Sequence, residues 1–269
     1  MSTTTTTTSS NINNQYLKEL NIAKLAVRRA SILSKKISDE IKLNQIDGIN
    51  KNDNSPVTIG DFGSQSIIIN SILKNFPNDL IVGEEDSKLI KSDKSLSESI
   101  FKHIKLIESL DSKNNEILGE INSIDHMCDS IDNGNSKGGP NGRIWALDPI
   151  DGTKGFLRGD QFAVCLALIV DGKVKLGVIG CPNLPNDLSN DSLSSSSAKN
   201  TEKGGIFYAT ENNGSFYQPL TIDFESKEYE EIDDSKAVKI SLNNNKSFEN
   251  AIIHKLNIVL YQEVMQKFI

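Results

Sequence analysis

The chain has 269 residues, enough to bury a full core as one large or two modest domains. Its 29 basic and 36 acidic residues leave a formal charge of −7, which argues against a nucleic-acid polymer as partner, and no run of eighteen apolar residues offers a membrane span. Three cysteines, Cys128, Cys165 and Cys181, lack C-x-x-C spacing and a nearby histidine pair, which fits reduced thiols in a cytoplasmic protein and disfavours zinc.

Residues 1–15, beginning M-S-T-T-T-T-T-T-S-S-N, have no basic start and no apolar core, so they predict a disordered leader rather than a secretory signal. From Tyr16 to about Leu43, apolar residues recur at Leu20, Ala23, Val27, Ala30, Leu33, Ile37 and Ile41, the steps of three and four that mark one face of a long helix. Arg28-Arg29 and Lys35-Lys36 are expected on its solvated side. A polar linker, 44–54, leads to S-P-V-T-I-G-D at 55–61, where Asp61 precedes a second helix carrying Ile68, Ile69, Ile72, Leu73 and Phe76. Taken alone, Asp61 reads as that helix's cap. Leu80 to Gly83 is a short buried strand ending at Glu84-Glu85-Asp86, three carboxylates that either bind a cation or face solvent. Residues 87–141 read as a long, soft insert with one helix, Leu96 to Leu110, and with His103 and His126 at the surface.

Arg143 to Leu147 is a short apolar strand expected to stop at Asp148, where Pro149 and Gly152 turn the backbone. Asp148, Asp151 and the carbonyl of Ile150 can then converge on one point, and three hard oxygens suit Mg²⁺. Gly152-Thr153 opens a helix whose first amides can hold a phosphate beside that metal, with Arg143, Lys154 and Arg158 as local positive charge. The bland alternative is an Asp-Pro turn with a threonine cap. Farther on, 162–170 and 173–180 are β-rich runs joined by Asp171-Gly172, a hairpin signal, and a second hairpin turns at 211–214. Between them, 183–203 is a Ser/Asn-rich insert. A strand at 237–242 and a stretch of helical spacing at 247–269 complete the chain.

S-P-V-T-I-G-D, V-G-E-E-D and W-A-L-D-P-I-D-G-T-K-G-F-L-R-G-D-Q-F-A-V, in this order, resemble the inositol monophosphatase superfamily of lithium-sensitive, Mg²⁺-dependent phosphatases. The longer signatures, with G-V-I-G-C-P-N-L, are similar to its 3′(2′),5′-bisphosphate nucleotidase branch, over roughly residues 16–220. The resemblance implies an α/β layered sandwich, with the N-terminal half built on a mainly antiparallel sheet flanked by helices. It implies metal binding by Glu84, Asp148, Asp151 and the Ile150 carbonyl, phosphate binding at Gly152 and Thr153, and activation of the attacking water by Asp61 and Thr153. The implied cofactor is Mg²⁺. The implied partner is a small-molecule nucleotide bisphosphate, adenosine 3′,5′-bisphosphate or its sulfated relative; an inositol phosphate is the alternative substrate and an inactive homologue the alternative role. Two family segments, E-G-V-E-K-G-H and W-D-x-A-A-G, have no counterpart, since His254 stands in H-K-L-N-I rather than after K-G and Trp145 is the only tryptophan. The expected organisation is therefore a leader at 1–15, a phosphatase N-terminal domain at 16–242 and a truncated C-terminal remnant at 243–269, with an apolar face left open.

Overall fold

The computed structural model describes residues 15–42, 49–50, 56–57, 59–185, 203–220 and 234–241. The expectations for the leader, most of the linker, most of the 183–203 insert and the 243–269 tail lie outside the described residues. The elements are α1 (Leu17–Lys42), β1 (Ile49–Asn50), β2 (Pro56–Val57), α2 (Ile59–Asn75), β3 (Leu80–Val82), α3 (Lys88–Ser92), α4 (Lys94–Leu110), α5 (Asn115–Leu118), α6 (Ile124–Asp132), β4 (Arg143–Asp151), α7 (Thr153–Arg158), β5 (Ala163–Val170), β6 (Lys173–Pro185), β7 (Lys203–Thr210), β8 (Gly214–Pro219) and β9 (Val238–Ile240). β1 and β2 form a two-residue antiparallel pair, and β3 to β9 form one seven-stranded sheet in sequence order.

The sheet is antiparallel throughout except at β3, which pairs parallel to β4. Hairpin chemistry explains the pairing of β5 with β6. Asp171 (φ 50°) and Gly172 (φ 70°) take the left-handed conformations that a tight turn between β5 and β6 requires, as the Asp-Gly pair predicts. Strand alternation sends Trp145, Leu147, Val164, Leu166, Leu168, Leu176, Val178 and Ile206 to one face, where they join Leu20, Ala23, Val27 and Ala30 of α1 and Ile68, Ile69 and Ile72 of α2. The other face stays half open, and Ile179 on it is 42% exposed.

Residues 87–141 are not a soft insert. The one helix expected there, Leu96 to Leu110, is α4, but the stretch also holds α3, α5 and α6, and Ile100, Ile104, Ile107, Leu118, Met127 and Ile131 are fully buried, most of them in a second core with Leu33, Phe62 and Ile67. Asp93 and Ser123 cap α4 and α6 by accepting from the Leu96 and His126 amides, so residues that read as loop composition are helix starts. His103 is half-buried and bonded to Glu40 at 2.8 Å.

Arg28 and Arg29 are not solvated either: both are buried, at 2% and 1% exposure. Asp111 accepts from Arg28 Nη1 at 3.1 Å and from Arg29 Nε at 2.9 Å, while Arg29 Nη2 donates to the Asp111 carbonyl at 3.0 Å and to Asn115 Oδ1 at 2.9 Å. Two guanidiniums sharing one desolvated carboxylate hold α1 to the end of α4. Lys35 and Lys36 are half-buried and pair with Asp39 and Glu40 one turn on. Replacing Asp111 by Ala strands both cations in the core, and a loss of about 3–5 kcal/mol in urea-unfolding free energy is expected.

Candidate metal centre

The parallel register Leu80↔Ile144, Ile81↔Trp145, Val82↔Ala146 sets two acidic strand ends beside each other. Continued by two residues, the same offset carries Glu84 alongside Asp148. Strand β4 does not stop at Asp148 as expected but runs on to Asp151. Its pairing with β5 shifts there, Asp148 opposite Cys165 and Asp151 opposite Ala163, so one extra residue is accommodated in a bulge. Cys165 and Ala163 share a face, and the bulge therefore puts both aspartates on that face, where residues three apart in a regular strand would point to opposite sides. Pro149, with no amide to offer the ladder, fits inside such an irregularity.

Ile150 is the anchor of this turn. Its side chain is buried with Phe156 and Phe162, whose rings meet edge to face at 5.0 Å. A Cβ on Gly60 would stand 2.8 Å from Ile150 Cδ1 and 2.8 Å from Phe156, so the first turn of α2 lies directly on this cluster. Asp61 is the third residue of α2, 4% exposed, rather than a cap preceding the helix. Thr153 opens α7 after Gly152, whose φ of +92° only glycine adopts readily, and the Thr153 hydroxyl points back at the Ile150 carbonyl across 3.5 Å. At six residues α7 is too short for a developed macrodipole, so the expected phosphate pocket depends on local amide donors.

The three acids after β3 part company. Glu84 is exposed, Glu85 is buried at 6%, and Asp86 accepts from the Lys88 amide and ammonium at 3.0 Å each. Lys88 holds the Asp86 carboxyl below its usual range. The side-chain amide of Gln65, on α2, bonds the Glu84 and Glu85 amides at 3.0 and 2.9 Å. Gln65 does not stand out in the sequence; its available signal is its position four residues, one helical turn, after Asp61.

Asp148 is the electrostatic centre. Its Oδ1 is sealed from solvent and has no hydrogen-bond partner. Burial, then Glu84 and Asp151, push its pKa to about 7, against a partial offset from the Ile150 amide. Burial also raises Asp151. The Cys165 thiol is pushed well up by burial and by both aspartates, and Cys181 to about 11 by burial and by Asp151, so both thiols stay protonated. Oxygen donors in mutual repulsion, one of them orphaned, fit a hard divalent cation. Among the described residues no three His, Cys, Asp or Glu side chains gather as a ready-made metal cluster. Arg143, expected to help an anion, is committed to Asp79 at 2.9 Å and Glu19 at 3.0 Å at the far end of β4. Lys154 and Arg158 are exposed on α7.

The model of the inositol monophosphatase family matches residues 18–266. The chain belongs to this family. Similar relatives include 3′(2′),5′-bisphosphate nucleotidase 2 of Candida albicans, 53% identical over 213 residues, which cover 78% of this chain and 58% of that protein. The 3′(2′),5′-bisphosphate nucleotidase of Emericella nidulans is 51% identical over 77% of this chain and 59% of its own length. This member of the family thus spans less than two thirds of the relatives it matches. Among solved structures, a Thermotoga maritima IMPase aligns over 75% of this chain and 51% of its own, at 22% identity and a TM-score of 0.41.

A carboxyl whose folded pKa of about 7 exceeds its unfolded value of 3.8 binds its proton more tightly in the folded chain. Its contribution to stability is present below pH 4, declines as pH rises, and is lost above 7. In chelator-treated protein, Asp148→Asn is expected to match the parent near pH 4 and to exceed it at pH 8 by up to about 4 kcal/mol, read from denaturant unfolding.

Proposed function

We propose that the chain carries the catalytic centre of a Mg²⁺-dependent phosphomonoesterase whose substrate is adenosine 3′,5′-bisphosphate, cleaved to AMP and phosphate. The observation that carries the reading is the half-buried Asp148 carboxylate, its Oδ1 without a hydrogen bond, with the Glu84 and Asp151 charges bearing on it. A buried carboxylate without a cation is a cost that a structural role does not explain. The names of the relatives supply the substrate class, and the family supplies the reaction class.

Glu84, Asp148, Asp151 and the Ile150 carbonyl would hold Mg²⁺. When bound, it neutralises charge on the phosphoryl group and acidifies water. The chain's own residues do the rest. Thr153, beside the Ile150 carbonyl, orients the attacking water and passes its proton toward Asp61, whose burial on α2 keeps it out of competition with bulk solvent. Main-chain donors at Gly152 and Thr153 steady the phosphate oxygens. Phe156 and Phe162 exclude water behind the turn.

Phosphate release is measured with adenosine 3′,5′-bisphosphate and with inositol monophosphate, with and without Mg²⁺. Mg²⁺-dependent release favouring the nucleotide is expected, and Asp61→Asn or Thr153→Ala should lower the rate by about 10²–10⁴. Preference for the inositol ester would move the substrate to the other branch of the family. Release unchanged by chelation, or by Asp148→Asn, would overturn the reading.

A further inference from the structure

We propose that Gln65 is a positioning residue that holds Glu84 in place for the divalent cation, an inference that rests on the metal reading of Glu84 above and deepens it. The β3–β4 ladder ends at Val82↔Ala146, so nothing in that pairing fixes the backbone at Glu84 and Glu85. The Gln65 amide takes over. Its Oε1 accepts from the Glu84 amide at 3.0 Å and the Glu85 amide at 2.9 Å; its Nε2 donates to the Glu85 carbonyl at 2.7 Å and, more weakly, to the Ile131 carbonyl of α6 at 3.3 Å.

Every partner of Oε1 is a backbone N–H and every partner of Nε2 a backbone carbonyl, so the amide has one orientation only, and its hydrogen-bonding capacity is fully used. The side chain is fully buried. The approach is close enough to demand glycine at the intervening position: a Cβ on Gly83 would lie 2.8 Å from both Cδ and Oε1 of Gln65.

The consequence is a fixed spacing between two arms of the site. Gln65 lies one helical turn after Asp61 on the same side of α2, and that helix also bears on Ile150 through Gly60. One rigid helix therefore indexes Asp61, Glu84 and the Asp148–Asp151 turn against one another. A polar plug needed only for core satisfaction would serve any nearby carbonyls; this one grips the backbone on both sides of a carboxylate whose charge bears on Asp148.

The test compares Gln65→Met, similar in length but without hydrogen bonds, with Ser71→Ala, which removes the buried Ser71–Ile67 bond farther along α2. Two readouts are hydrogen exchange at the Glu84 and Glu85 amides and Mn²⁺ affinity by electron paramagnetic resonance. Gln65→Met is expected to lose protection at those two amides and to weaken Mn²⁺ binding about 10- to 100-fold, as loss of an outer-shell partner does, while Ser71→Ala changes neither. Should Gln65→Met not fold, Gln65→Asn, one methylene too short to reach, is expected to give the same two changes. Mn²⁺ affinity equal to the parent's, or reduced only as far as in Ser71→Ala, overturns the proposal, as does unchanged exchange at 84 and 85. A parent protein that binds no Mn²⁺ overturns the metal reading itself, and this inference with it.

Discussion

The parallel pairing of β3 with β4 is the constraint on which the site depends. Every other neighbouring pair in the sheet is antiparallel and can be made by a short connection, but two parallel strands leave their carboxyl ends at the same edge and need a crossover between them. Here the crossover is α3 to α6. Those helices therefore serve the chemistry indirectly: by returning the chain to the start of β4 they set Val82 against Ala146 and carry Glu84 to the level of Asp148. The strand itself is only three residues long and draws on a bridge between Val82 and Asn135, and on the bond from Gly83 N to Gly134 O at 2.8 Å, for support on its other side.

Charge pairing separates the structural acids from the site. Asp79 accepts from Arg143 and from Trp145 Nε1 at 2.9 Å; Asp111 holds Arg28 and Arg29; Asp132 accepts from Lys91 at 2.7 Å and from the Ser87 hydroxyl at 2.6 Å. Each has a cation within reach. Asp148 has neighbours of its own sign instead. An acidic chain can place carboxylates almost anywhere, so composition says little, whereas a half-buried carboxylate that has like charges for neighbours and one oxygen without a hydrogen bond is specific.

What could be read in the sequence was local. The period of α1 and the Asp-Gly hairpin both depend on residues a few positions apart, and both appear in the fold. What could not be read depends on partners far along the chain. Arg28 and Arg29 looked like a solvated pair because Asp111, 82 or more residues away, cannot be seen from α1. Outside the helix expected at 96–110, the 87–141 stretch looked like a soft insert because Ser, Asn and Asp serve equally as linker residues and as caps, and only the burial of Leu118, Met127 and Ile131 decides between them. The length of β4 was misjudged for a related reason: Pro149 signals a turn, and a bulge within a continuing strand uses the same residue.

That bulge explains how two aspartates three apart serve one point. In an unbroken strand the positions of Asp148 and Asp151 fall on opposite faces, and a tight turn would leave Ile150 exposed between them. The extra residue instead rotates Ile150 into the apolar cluster of Phe156 and Phe162 and returns Asp151 to the face of Asp148 and Cys165. Burial of one apolar side chain, worth roughly 1.5–3 kcal/mol, thus balances part of the desolvation and repulsion the two carboxylates suffer. The same rotation turns the Ile150 carbonyl toward Thr153. Acid placement, carbonyl orientation and threonine approach are then one local geometry, held from behind by the first turn of α2.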